Sequence, residues 1–454
     1  MTATGNLARR VHLQLASESG DDVPAAGDAP ARSAAWTLSR RMLKASLWST
    51  LTLGASFGAV NLLTVHYALG PVPPSHNWVH ATFQLIGFVL LFVMGIAYQA
   101  IPRSCGVPLG SLRLARASFA LVGGGLLLRF YGLFGALVPG APGVLLAGGV
   151  AVTAGVVAFA ATLASTWRTV PAPRPRVGMP ALAAGTAWWT IAAALLIVEG
   201  VVAVAAGDSD FSAQYNEAFY MAALLGGTMS WIQGMVRRME PAMLALPAPR
   251  MRSLDVAFWL TQIAAAAATT GAALQSTAVG HVVFDAGLLV AVIATAALIH
   301  GTRVFGGAVV RPRSSHLAPP RVRRTVRFAF ASVALFAVLA AAYGAADLAG
   351  HMLPTAVWDG ARHALALGFV TPLILALGSH IIPRVSGVPL RRPGWCDAGL
   401  VLIAVGLVAR EMQVVAALGI LPRLLLVSGL SGIVAATGVI LAGGALLGTL
   451  RASR

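Results

Sequence analysis

The feature that most limits what this chain can fold into is a series of twelve apolar stretches joined by short polar links. They cover roughly 45–69, 77–101, 115–137, 143–166, 180–205, 216–236, 254–278, 281–302, 326–347, 360–382, 397–419 and 424–449. A helix needs about 20 apolar residues to cross the hydrocarbon core of a bilayer, and a membrane β-strand only about 9–11. Inside lipid every backbone amide must be bonded within its own element, so stretches of this length are helices. The expectation is an all-α integral membrane protein with about twelve transmembrane helices. Composition agrees: the chain is 57% hydrophobic and 10% charged, with mean hydropathy +0.80. Soluble domains sit near ~45–50% apolar and ~25% charged, so a soluble enzyme, a disordered chain and a fibrous one are excluded. Residues 1–40 read as a polar, disordered cytoplasmic tail, because the first 35 contain no apolar core of a signal peptide. The membrane domain is expected over 41–454.

The net charge of +17 gains its meaning from placement. With the N-terminus inside, the inner links carry Arg40, Arg41, Lys44, Arg103, Arg113, Arg116, Arg168, Arg237, Arg250, Arg303, Arg321, Arg384 and Arg391, among others. The outer links carry Asp208, Asp210, Asp347 and Asp359, with Arg362 and Arg423 as the basic exceptions. This asymmetry predicts a multi-pass protein of the cell inner (plasma) membrane with both termini cytoplasmic. The basic excess is then topology plus attraction to the lipid bilayer's anionic headgroups. Nucleic acid is not an expected partner, because no basic segment is interleaved with aromatic residues.

Within the apolar stretches lies a repeat. Ile101-Pro102-Arg103-Ser104-Cys105-Gly106-Val107-Pro108-Leu109 ends the second, and Ile382-Pro383-Arg384-Val385-Ser386-Gly387-Val388-Pro389-Leu390 ends the tenth. The offset between Pro102 and Pro383 also pairs Gly87-Phe88-Val89 with Gly368-Phe369-Val370, and Arg129 with Arg410. A weaker copy falls between them, where Gly226, Gly234 and Pro241 follow Gly87, Gly95 and Pro102 at one common offset. The chain therefore reads as three pseudo-repeated four-helix arcs, at about 45–170, 180–305 and 326–450. Common twelve-helix transporters divide into two halves instead.

Ten histidines occur in the chain. His12 and His316 lie in polar segments, and His300 and His380 at inner helix ends, where an interfacial role suffices. His66, His76, His80, His281, His351 and His363 all map to the outer half. Counted back from the matched prolines, Pro102 and Pro383, His80 and His363 fall within one helical turn of each other. The two imidazoles thus sit at nearly the same depth in equivalent helices. Two neutral imidazoles facing each other are what axial ligation of a low-spin haem requires. Hydrogen bonds to neighbouring helices are the plainer alternative.

Arginines inside a membrane are costly and functional as a rule. Arg129 and Arg410 are therefore expected cofactor-binding residues, neutralising haem propionates. Arg410 has Glu411 beside it in sequence as another partner. Glu199, in the fifth stretch, is suited either to pair with an arginine or to carry protons. Cys105 and Cys396 are expected to be inert thiols. No CxxCH attachment motif occurs, so any haem is non-covalent. Gly123-Gly124-Gly125 is expected to let helices approach closely.

These residues resemble a known family. His80-Ala81-Thr82-Phe83-Gln84 with Ala97-Tyr98-Gln99-Ala100-Ile101-Pro102 is similar to helix II of haem-copper oxidase subunit I, and His363 through Gly387 to helix X. That superfamily has twelve helices in three arcs, and the resemblance implies that His80 and His363 hold the low-spin haem. The earlier of the superfamily's two helix X histidines, which there holds the high-spin haem, is replaced here by Ala361, and the seventh stretch has no histidine. Arg362-His363-Ala364-Leu365-Ala366-Leu367-Gly368 and Arg410-Glu411 are similar to the C-terminal half of the NnrS family, linked to nitric oxide stress and to haem and copper. Of that family's Trp-His-x-His-Glu-Met run, only Trp78-Val79-His80 is present.

The leading expectation is a b-type cytochrome-like membrane protein. It would hold haem b between His80 and His363 near the outer face, and serve electron transfer or a nitric oxide response, with a redox partner or respiratory complex subunits beside it. The first alternative is a catalytic haem-copper oxidase or nitric oxide reductase-like subunit, in which His76 and His351, with His66 and Met352, would offer copper. The second is a cofactor-free transporter or a structural subunit of a respiratory complex.

Overall fold

A helix that is apolar on every side can bury that surface only against other helices and lipid, and the chain does both. The computed structural model describes residues 29–133, 140–172, 177–208, 213–238, 243–307 and 317–453. Among them twelve long helices follow one another: α1 (29–66), α2 (Pro74–Cys105), α3 (Leu112–Leu133), α4 (Ala141–Arg168), α5 (Met179–Ala206), α6 (213–238), α7 (Met251–Ala273), α8 (Ala278–Thr302), α9 (Pro320–Leu348), α10 (Thr355–Ser386), α11 (Pro393–Ala417) and α12 (Leu424–Ala452). Ten of these are long and apolar enough to cross a membrane. The other two, α1 and α6, carry more polar side chains. In α6 these are tolerated because the helix is enclosed by protein along nearly its whole length.

The helices form an inner and an outer ring. About 72% of the apolar window of α2 and of α10 is buried, against 33–50% in the other eight. With α6 they make the inner set. The last two helices of each arc pack as antiparallel hairpins, α3 on α4, α7 on α8 and α11 on α12. Contacts of α4 with α5, α8 with α9, and α12 with α1 close the outer ring.

The three arcs repeat in packing as well as in sequence. A Cβ on Gly95 would meet Leu43, and one on Gly234 would meet Leu182, so both members of the pair move by the same offset. Gly87 faces Ser49, Gly226 faces Trp188 and Gly368 faces Ser332. Each inner helix also widens into π-type turns, over Phe83–Leu90, Ala222–Thr228 and Ala364–Val370. Their first residues stand at the offsets of the sequence repeat. Such widened turns cluster at functional sites because they shift the register of the side chains around them. Pro102 and Pro383 lie in the last turns of α2 and α10, which Gly106 and Gly387 close at φ +67° and +69°. Pro241 falls outside the described residues, as do His12 and His316.

Two expectations change. The first helix begins at Ala29, not near residue 45, so only residues 1–28 of the expected tail precede it. Leu38, Met42, Leu43 and Leu47 explain the extension, because they bury one side of this segment against the bundle. The Gly123–Gly125 run is not a uniform packing stripe. Only Gly125 meets a neighbour, the backbone of Gly148 and Val152 on α4, while Gly123 and Gly124 face open space.

Candidate functional site

His80 lies in the first turns of α2, where Pro74 starts the helix. Its Nδ1 is 2.6 Å from the carbonyl oxygen of Gly54 on α1. That carbonyl belongs to the widened turn Thr50–Gly54. Gly58 makes room for the ring, since a Cβ there would sit 2.6 Å from His80 Cε1. His363 closes the first α-helical segment of α10, directly before its widened turn. Its Nδ1 is 2.8 Å from the carbonyl oxygen of Asp359, one turn earlier.

This arrangement has a chemical consequence. A neutral imidazole has one N–H and one lone pair, and the bond made by one nitrogen decides the role of the other. A carbonyl can only accept, so both Nδ1 atoms carry the hydrogen and donate it. Both Nε2 lone pairs are then left for a metal, oriented by main-chain atoms as metal-ligating histidines are. His363 keeps 27% of its side-chain surface accessible within the helical bundle. The donor set, the ring cradle at Gly58 and this accessibility fit an axially ligated haem.

Arg362, next to His363, points to α6 and donates to Glu217 there at 2.7 Å.

Beneath His363 is a charge cluster centred on Asp359. Its carboxylate accepts from Arg410, from Gln413 at 2.8 Å and from Arg362 at 3.4 Å. Arg362 bridges on to Glu217, whose other oxygen accepts from Trp358 Nε1 at 3.0 Å. Arg362 therefore escapes the arginine asymmetry because it is an ion-paired side chain.

Neither arginine expected at haem propionates is without a protein anion. Arg129 is 1% exposed and donates to Glu199, itself 0% exposed, at 2.7 Å. Gly148 leaves space for the arginine stem. Arg410 holds Asp359, with Gln413 and Ser428 alongside. A buried guanidinium in this apolar chain takes the nearest carboxylate, here one on a neighbouring helix, while Arg129 Nε and Nη1 and Arg410 Nε have no partner among the described residues. Glu199 is thus an arginine partner.

The copper candidates stay apart in environment. His76 packs edge-on against Phe57 at 5.1 Å, while His351 and Met352 are exposed beyond the end of α9. Among the described residues no three His, Cys, Asp or Glu side chains are grouped as a metal ion would need. His66 is half-buried beside Gly429, and His281 stands 4.0 Å from Asp347. At the other membrane face, His300 Nδ1 lies 3.0 Å from Ser253 Oγ, and the buried His380 lies 2.6 Å from Arg384 Nη1. Cys105 and Cys396 are both free thiols.

Sequence reasoning missed Asp359, Glu217, Gln413 and Gly58. A signal existed for the first, because Asp359 precedes Arg362 by three residues and His363 by four, the spacings that share a helix face. Gly58 left none, since its partner lies on another helix.

No family model and no curated protein matches the sequence. The fold is similar to that of solved structures, among them a haem-copper terminal oxidase dimer, with TM-score 0.71 and 10% identity over 92% of this chain and 84% of that one. The chain is thus an all-helical, multi-pass membrane protein with the fold of haem-copper oxidase subunit I.

Proposed function

We propose that this protein is a b-type cytochrome of the membrane, holding one low-spin haem b between His80 and His363. The observation that carries the reading is the matched pair of Nδ1–carbonyl bonds, to Gly54 and Asp359, which leaves both Nε2 atoms as ligands. A bound haem supplies a one-electron couple, and the protein's part is to fix both imidazoles and exclude water. Gly54 and Asp359 set the orientation of the rings. The Asp359–Arg410–Arg362–Glu217 cluster supplies fixed charges beside them.

The role that follows is electron transfer with a membrane or respiratory partner. A nitric oxide response is the related role, in which release of one histidine would open a position for the gas. The basic links would face the cytoplasm, placing the histidine pair towards the opposite side of the plasma membrane. The fold similarity supports a haem-bearing scaffold.

The deciding measurement is the reduced-minus-oxidised visible spectrum of the purified full-length protein, with and without nitric oxide. A low-spin haem b spectrum that is lost in His80→Ala and in His363→Ala is expected. An absent haem band, or one unchanged in both variants, removes the reading. A spectrum altered by nitric oxide in the wild type selects the gas-linked role over simple electron transfer.

A further inference from the structure

The start of α7 and the end of α8 flank an open cavity of about 500 Å3, at the membrane face that bears the basic links. Arg250, Met251, Arg252, Ser253, Val256 and His300 line it. The first turn of α7 holds no acidic residue. Asp255, one turn on, is taken by Arg237 of α6 at 2.6 Å. Space of this size suits a small ligand or a headgroup, and the side chains that reach into it are cationic.

Arg250 is anchored there by neutral groups. Its Nη1 bonds Nε2 of His300, and its main-chain N–H donates to the carbonyl of Gly301 at 2.8 Å. A guanidinium can only donate, so Nε2 accepts and the imidazole is neutral. The ring hydrogen then lies on Nδ1 and is donated to Ser253 Oγ at 3.0 Å. Ser253 donates in turn to the carbonyl of Ala297 at 3.2 Å. This relay ties the arginine to both helices and leaves its charge uncompensated. Arg129, Arg237, Arg362 and Arg410 each meet a carboxylate. Among the described residues Arg250 and Arg252 meet none, and both are exposed.

The cavity opens onto an apolar stripe. Arg252, Val256, Trp259 and Ile263 follow one another at the spacing of a single helix face. The last three are 52%, 65% and 55% exposed, on the outer ring of the bundle. The stripe runs from the two guanidiniums towards the bilayer core.

We propose that this cleft binds one anionic phospholipid, its phosphate seated between Arg250 and Arg252 and an acyl chain lying along Val256, Trp259 and Ile263. Arginine takes phosphate oxygens through paired N–H donors, and anionic lipid is drawn to basic segments at the membrane surface. A soluble phosphate would use the arginines and leave the stripe bare. His300 is a positioning residue, acting through Arg250. The site involves neither His80 nor His363, so it stands apart from the haem reading.

Native mass spectrometry of the full-length protein, in micelles doped with phosphatidylglycerol or phosphatidylcholine, tests this. The wild type should retain one phosphatidylglycerol in preference to phosphatidylcholine. Arg250→Gln and Arg252→Gln should each weaken that retention about 5-fold. Arg116→Gln, which removes the same charge from an exposed position elsewhere on that face, should leave it unchanged. His300→Ala should weaken it too, and His300→Gln, which restores an acceptor for Arg250, should recover it. Glycerol phosphate, a headgroup without chains, should not displace the lipid at equal concentration. A wild type with no preference between the two lipids overturns the proposal, and that result does not depend on any variant folding. So does an equal loss in Arg116→Gln and Arg250→Gln, which would make the attraction diffuse. Displacement by glycerol phosphate overturns it as well, leaving a site for free anions. Retention unchanged in His300→Ala removes the positioning role.

Discussion

The main-chain carbonyl of Asp359 holds Nδ1 of His363 at 2.8 Å while the side chain of the same residue holds Arg410. One residue thus orients an imidazole with its backbone and neutralises a guanidinium with its carboxylate. The two duties separate under mutation. Asp359→Ala keeps the carbonyl and removes the anion. It should cost about 3–5 kcal/mol of stability by leaving Arg410 buried and unpaired. Haem content at low temperature should fall less than for His363→Ala. Adding Arg410→Leu should recover part of the loss in a thermal melt.

Gly58→Ala tests the cradle on the other side. The new Cβ would stand 2.6 Å from His80 Cε1 and 2.7 Å from its Nδ1. The ring must move, and its bond to Gly54 goes with it. Outer-shell losses of this kind cost about 10–100-fold in affinity. A drop of that order in haem bound per protein is expected, whereas Gly444→Ala, in open space, should bind as the wild type does.

The Arg129–Glu199 pair should behave as a buried structural ion pair. Arg129→Leu or Glu199→Gln alone should destabilise by about 3–5 kcal/mol. The double change to leucine should be neutral or stabilising by ~1–4 kcal/mol. The haem spectrum of the double variant should match the wild type. A shifted spectrum would place Arg129 at the cofactor.

Helix packing gives a further test within one tripeptide. Gly125→Val would drive a side chain into the α4 backbone, 2.8 Å away, and should cost about 1–3 kcal/mol or more. Gly123→Val meets open space and should change the melting temperature little.

Much of the architecture was legible because it is periodic. Apolar length marks each helix. The offsets of the sequence repeat reappear as equivalent contacts, Gly95 with Leu43 and Gly234 with Leu182. His80 and His363 were found by the same route, since depth in a helix is a count of residues from a shared proline. The start of α1 was not legible, because residues 29–44 mix polar and apolar side chains and only the buried face separates them. The reach of Gly123–Gly125 was not legible either, as adjacent glycines point in directions ~100° apart and one alone meets α4.

What the sequence determined by itself is what a local count can carry: all-helical spans, three arcs, and two histidines at one depth. The tertiary structure decided the partners. Arg129 meets Glu199 across 70 residues, Arg410 meets Asp359 across 51 and Arg362 meets Glu217 across 145. The physical reason is that in a membrane bundle a charge is stabilised by whichever opposite charge the packing brings to its depth. Helix periodicity sets the depth and the direction of each side chain, while the choice among facing helices belongs to the folded assembly.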